Sequence, residues 1–169
     1  METFKPSRQF VPHPQYAQDR QQALDDLDLS AIDPPIREVI AAFSRLPYCF
    51  TLQCCYGHFL YPGQEDDHNL QSLPDHDVGM VRYRIAYLAL CIENSPKGRY
   101  LRSRLNQVTE IDPAYVQFGS PDWFWERQVN AYALQVEPQR FMHLDVATLT
   151  YQEGLRVQDV SCLLYTSPS

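Results

Sequence analysis

Glycine is sparse in this chain and never clustered: the six glycines stand at 57, 63, 79, 98, 119 and 154, no two closer than six positions. That spacing excludes the G-x-G-x-x-G dinucleotide turn and the Gly-rich P-loop, because both need several residues without a Cβ for backbone amides to reach phosphate. The G-x-S-x-G elbow is missing too, which argues against a standard α/β-hydrolase. Long apolar runs are also lacking. The longest, Ile85 to Ile92, has eight residues, where a membrane-spanning helix needs about 20, so no membrane partner is expected. The first thirty residues carry charge and three prolines but no apolar signal-peptide core, and the cytoplasm is the expected compartment.

With 169 residues, 44% of them hydrophobic, the chain can bury one core and is too short for two independent domains. Its last eight residues, Cys162 to Ser169, read like the translation of a sequencing-library adapter. The expectation is therefore a single domain over 1–161, truncated at its C-terminus, with 162–169 not native. Four cysteines then remain: Cys49, Cys54, Cys55 and Cys91. Two are sequence neighbours, which a disulfide framework would rarely use, so reduced thiols are expected.

The net charge of −7 argues against a protein that coats nucleic acid. One local exception is Arg82, Arg84, Lys97, Arg99, Arg102 and Arg104, among which Glu93 is the only acid. Such a patch could hold an anion or contact RNA, against the blander reading of a solvated helix face.

Periodicity outlines the elements. Tyr16, Arg20, Ala23, Leu24 and Leu27 fall at helical spacing, which predicts a first helix from about 14 to 28. Asp33 as cap, Pro34 at the first position and Ile36, Val39, Ile40, Phe43 and Leu46 predict a second, stopped by Pro47. From Tyr48 the period becomes two: Thr51, Gln53 and Cys55 share a polar side of a strand, and Gly57 lets the chain turn. Residues 60–80 read as a long loop. The 83–92 stretch, apolar on both faces, reads as one central strand. Ser95-Pro96 opens a helix, strands follow near 115–119 and 129–137, and a last helix covers about 145–159. The expected fold is α/β (or α+β), with a mixed sheet of about four strands and flanking helices.

The chemistry gathers where the first strand ends. Thr51, Gln53 and Cys55 with His58 after the turn would bring amide, hydroxyl, thiol and imidazole groups to one strand end, where open sheets bind ligands. Cys54, on the apolar side, reads as a core hydrophobe. Trp123, Phe124 and Trp125 follow the turn Gly119-Ser120-Pro121 and offer rings that stack a base or anchor a partner, with at least one of the two tryptophans expected in the core.

Phe50-Thr51-Leu52-Gln53-Cys54-Cys55-Tyr56-Gly57-His58, preceded by the run Leu29 to Ile36, resembles the N-terminal signature of the wybutosine-synthesis tRNA methyltransferase family. That family's strand ends Thr-Thr-Ser-Ser-Cys-Ser-Gly-Arg; Thr51, Cys55 and Gly57 match it, while Leu52, Gln53, Cys54, Tyr56 and His58 depart. Ala131 to Glu137 is similar to the family's Pro-Phe-Ile-Leu-His-Val-Glu strand, with Gln135 in place of histidine. The resemblance spans about 25–137. It implies an α/β fold that uses S-adenosylmethionine to methylate a tricyclic guanosine precursor in phenylalanine tRNA. The departures remove the serines and arginine that would grip the cofactor or substrate, so the fold carries over more readily than the activity.

The reading that results is a domain binding a nucleoside-type ligand through Thr51, Gln53, Cys55, Gly57, His58 and Trp125. In a methyltransferase, His58 or Glu137 would handle a proton. One alternative is a zinc protein, with Cys55-x-x-His58 as a half-site completed by His68 and His76. Another is a non-catalytic interaction module.

Overall fold

The computed structural model describes residues 4–166. In chain order the elements are α1 (Tyr16–Asp26), α2 (Arg37–Ser44), β1 (Cys49–Cys55), β2 (His58–Leu60), β3 (Val81–Arg84), β4 (Ala86–Ile92), α3 (Pro96–Val108), β5 (Val116–Gly119), α4 (Asp122–Arg127), β6 (Ala131–Val136), β7 (Val146–Leu149) and α5 (Tyr151–Thr166). The single α/β domain expected from the sequence is present. Its strands form two sheets, a four-stranded one in the order β1-β4-β6-β5 and a three-stranded one in the order β2-β3-β7. Every pairing in them is antiparallel, which corrects the expected mixed sheet.

The second sheet exists because the 83–92 stretch is not one strand. It breaks at Ile85, whose N–H donates to the Asp145 carbonyl at 3.0 Å rather than to a strand neighbour. Tyr83 fixes the break: its hydroxyl donates to the Val136 carbonyl at 2.7 Å and accepts from the Ala86 N–H at 2.8 Å. The chain thus leaves β3 in one sheet and starts β4 in the other. The turn at Gly57 does the same between β1 and β2, so two consecutive crossings set the sheets side by side.

Helix starts follow local chemistry. Ser95 accepts from the Gly98 N–H and Pro96 opens α3, as the sequence predicts. Pro34 lies in a 3-10 turn, Pro34–Ile36, that leads into α2, but Asp33 makes no capping bond there. Its carboxylate is used elsewhere. The last helix starts at Tyr151, later than predicted, because the alternation from Val146 to Leu149 pairs with β3.

One face of the four-stranded sheet carries the main core. Leu88, Leu90 and Leu134 meet Ile36 from the turn before α2 and Ile40, Leu105, Val157 and Val160 from the helices, each nearly inaccessible. Each such aliphatic side chain contributes about 1.5–3 kcal/mol when fully buried. Helix α5 runs on through the segment set aside as non-native: Tyr165 is buried, with its hydroxyl 3.5 Å from the Leu134 carbonyl. Residues 167–169 lie outside the described residues.

The opposite face is covered only in part. Tyr16 of α1 packs on Phe50 and Cys91. Phe124 of α4 packs on Ala89, Ala131 and Ala133, whose small side chains let the ring approach the sheet. The strand ends beyond these two patches are left open. Among the described residues, no helix is long and apolar enough to cross a membrane.

Candidate functional site

The open part of that face forms a cavity of about 620 Å³, a size that suits a small organic ligand. Its floor is a cross-strand row: Cys55 of β1 lies opposite Tyr87 of β4, and Tyr87 opposite Gln135 of β6. Directly opposed residues project from the same face, so a thiol, a phenol and an amide stand side by side. Gln53, Trp123, Phe124, Leu144, Arg84 and Asp145 complete much of the wall, with Asp33 and His58 at one end.

A β-bulge decides which residues of β1 face this way. Thr51 pairs with Leu90, yet Gln53 pairs with Ala89, leaving Leu52 as the extra residue. Side chains before and after a bulge lose their simple alternation. Gln53 and Cys55 therefore share the cavity face with Ala89 and Tyr87, while Thr51 shares the core face with Leu90. The sequence reading that grouped Thr51 with Gln53 and Cys55 is corrected accordingly. Cys54 pairs with Leu88 and packs against the main core, as expected of it, while its edge still borders the cavity.

Asp33, Cys55 and His58 meet at the cavity's end. One ligand-capable atom from each lies within 4.8 Å of the others. The turn that makes this possible needs Gly57, whose φ is +94° and whose added Cβ would lie 3.0 Å from the Tyr83 ring and 3.1 Å from the Ala86 Cβ. His58 is held by its Nδ1, 3.0 Å from the Asn69 carbonyl. A carbonyl oxygen only accepts, so Nδ1 carries the proton and donates. Asn69 is itself fixed, its amide donating to the Phe59 carbonyl and accepting from the Gln71 N–H. Nε2 of His58 then points at the Asp33 carboxylate, 3.6 Å away, while the same carboxylate oxygen accepts from the Tyr56 N–H at 3.0 Å. Burial pushes the Cys55 thiol above its ordinary range. The Gly57 N–H on its sulfur pulls the other way, Asp33 raises it further and Arg84 lowers it.

Other residues named from the sequence lie elsewhere. Trp125 is not in the cavity wall: it packs edge-on against Tyr132 of the main core and carries Arg8 on its face. Its neighbours Trp123 and Phe124 line the cavity instead, because a short helix points successive side chains about 100° apart. Gly57 shapes the turn and borders a separate small cleft. Glu137 is fully buried, outside the cavity lining, and accepts from the Gln135 amide at 3.4 Å. His68 and His76 are exposed loop residues; His68 sets its ring edge-on to that of His58, with centroids 6.4 Å apart, but neither joins the group of clustered ligands among the described residues, in which Asp33 takes the place the zinc reading gave them. The six basic residues are divided as well. Arg82 and Arg84 belong to β3 and the other four to α3. Of the six, Arg84 alone lines the cavity, and Arg102 is committed to the Arg8 carbonyl and the Phe10 ring.

The sequence reading missed Asp33 and Tyr87 as site residues. Asp33-Pro34 carries an equally good helix-start signal, and Tyr87 is recognisable only once the register of β1 on β4 is known. Comparison with protein-family models, with curated proteins and with solved structures finds no match for this chain.

Proposed function

We propose that the cavity binds a small ligand of nucleoside type, in a protein that works in the cytoplasm. The observation that carries this reading is the row Cys55–Tyr87–Gln135 flanked by Trp123 and Phe124. A planar heterocycle needs two things from its site: aromatic faces to stack on, and donor–acceptor pairs at its edge. Tyr87, Phe124 and the 44% exposed Trp123 supply rings. The amides of Gln53 and Gln135 each offer a donor and an acceptor that match the edge of a base. Among the described residues of this lining Arg84 is the one arginine or lysine, suited to a carboxylate or phosphate on the same ligand.

S-adenosylmethionine satisfies the same requirements, having an adenine, a ribose and a carboxylate. Methyl transfer to a nucleoside in RNA is the more specific form of this proposal. In it, orientation of the two reactants supplies most of the rate, and His58, in the cavity lining, is the candidate group to take a proton.

The test is titration of the protein with adenosine, guanosine, their monophosphates and S-adenosylmethionine, followed by tryptophan fluorescence and calorimetry. Saturable quenching is expected for at least one of them. Tyr87→Ala should weaken it by roughly tenfold, as loss of one stacking face does at about 1–3 kcal/mol. No quenching, heat or thermal shift from any of these compounds at millimolar concentration would refute the proposal.

A further inference from the structure

We propose that Asp33, Cys55 and His58 form a binding site for a divalent transition-metal ion, zinc by preference, at the end wall of the cavity. The proposal goes beyond the ligand reading and does not depend on it, because it rests on three side chains and their hydrogen bonds rather than on the cavity's aromatic lining.

The geometry of His58 carries the argument. Its Nδ1 donates to the Asn69 carbonyl, which leaves a lone pair on Nε2. That lone pair faces a carboxylate oxygen at 3.6 Å, with the Cys55 sulfur within 4.8 Å of both. The Nε2 lone pair and the carboxylate oxygen repel one another unless something positive lies between them. A shared proton would relieve that contact alone; a metal ion relieves it and also gathers the Cys55 sulfur, once its proton is lost, as a third donor.

The distances suit the ion. Bonds of 2.0–2.3 Å to nitrogen, oxygen and sulfur put neighbouring donors of a tetrahedral zinc site about 3.3–3.7 Å apart. The His58–Asp33 separation already lies in that range, and the sulfur needs to close by about an ångström at most. The donor set selects the metal class: thiolate and imidazole favour zinc and its neighbours over magnesium or calcium, which prefer all-oxygen sites. On binding, the Cys55 proton leaves to solvent and the sulfur's electron pair goes to the metal.

The surroundings are those that ligands require. A metal-bound histidine usually donates its second nitrogen to a backbone carbonyl or carboxylate, which fixes its tautomer and aim. Asn69 provides this, and is itself held from both sides. The Tyr56 N–H holds the Asp33 carboxylate, and the Gly57 N–H lies 3.4 Å from the Cys55 sulfur. Three protein ligands leave a fourth position, which opens on the cavity and can take water or an atom of a bound ligand.

The experiment uses the whole chain, stripped with chelator and then dialysed against zinc or cobalt(II) at micromolar concentration. One ion per chain is expected, with a sulfur-to-cobalt charge-transfer band that reports the thiolate directly in the unmodified protein. Cys55→Ser should abolish the band. His58→Gln and Asp33→Asn should each weaken binding by more than the about 10- to 100-fold that loss of an outer hydrogen-bond partner costs. His76→Ala should leave binding unchanged. Far-UV circular dichroism checks that each variant is folded. No uptake by the unmodified protein overturns the proposal, as does uptake without the sulfur band or uptake that folded Cys55→Ser and His58→Gln retain in full. Nucleoside titrations run on both the metal-free and the zinc-loaded protein keep this outcome separate from that of the ligand reading.

Discussion

Thr51 shows how one extra residue in a strand redistributes side chains. The Leu52 bulge turns it toward the core, where its hydroxyl is enclosed with no hydrogen-bond partner among the described residues. A buried hydroxyl without a partner costs about 1–3 kcal/mol of desolvation. Thr51→Val keeps the branched shape and removes that cost, so it should raise the free energy of unfolding by about 1 kcal/mol, read from the urea midpoint. Nucleoside and metal affinities should stay as they were. A fall in either affinity would return Thr51 to the ligand surface, where its sequence neighbours Gln53 and Cys55 stand. Period-two alternation from Cys49 to Cys55 gave no warning of this. A bulge marked by glycine or proline leaves a trace in sequence, but this one falls at leucine, and only the pairing with β4 reveals it.

The turn between β1 and β2 joins the two sheets and presents Cys55 beside His58. Gly57 adopts a left-handed conformation there that costs other residues roughly 1–2 kcal/mol. An alanine would also press its Cβ against Tyr83 and Ala86. Gly57→Ala is expected to destabilise the fold by about 2 kcal/mol and to weaken cobalt binding through displacement of His58. Unchanged metal affinity in this variant would show that the turn does not set the ligand geometry. Legibility varied among the elements for physical reasons. The amphipathic pattern of α2 and the Ser95-Pro96 start of α3 were readable because each signal is local. The division of residues 83–92 was not, because both halves are buried and apolar, and the break depends on Asp145 and Val136 far along the chain. Asp33 was misread as a helix cap because its true partners, Tyr56 and His58, lie more than twenty residues away.

At the scale of the whole molecule, burial of many ionisable but neutral groups makes the fold vulnerable to base. Burial pushes the Cys49 thiol up to about 12 and the Cys54 thiol up to about 11, from ordinary values near 9. Cys91, Tyr16, Tyr83 and Tyr165 are raised in the same way, mainly by desolvation. Below pH 9 these thiols are protonated whether the chain is folded or not, and their contribution to stability is fully present. As pH rises above 9 the unfolded chain releases protons that the folded chain retains, so ionisation favours unfolding. Each group retained in this way removes about 1.4 kcal/mol of stability per pH unit across its window. For Cys49 that window runs from about 9 to about 12. The urea midpoint should therefore fall steeply with pH above 9, and Cys49→Ala should make the decline shallower by about 1 kcal/mol per pH unit, whatever its effect on the absolute midpoint. The slope isolates ionisation from packing, since the small cavity left by alanine lowers stability equally at every pH. Identical slopes for the two proteins between pH 9 and pH 11 would mean that the Cys49 thiol ionises as readily in the folded core as in the unfolded chain.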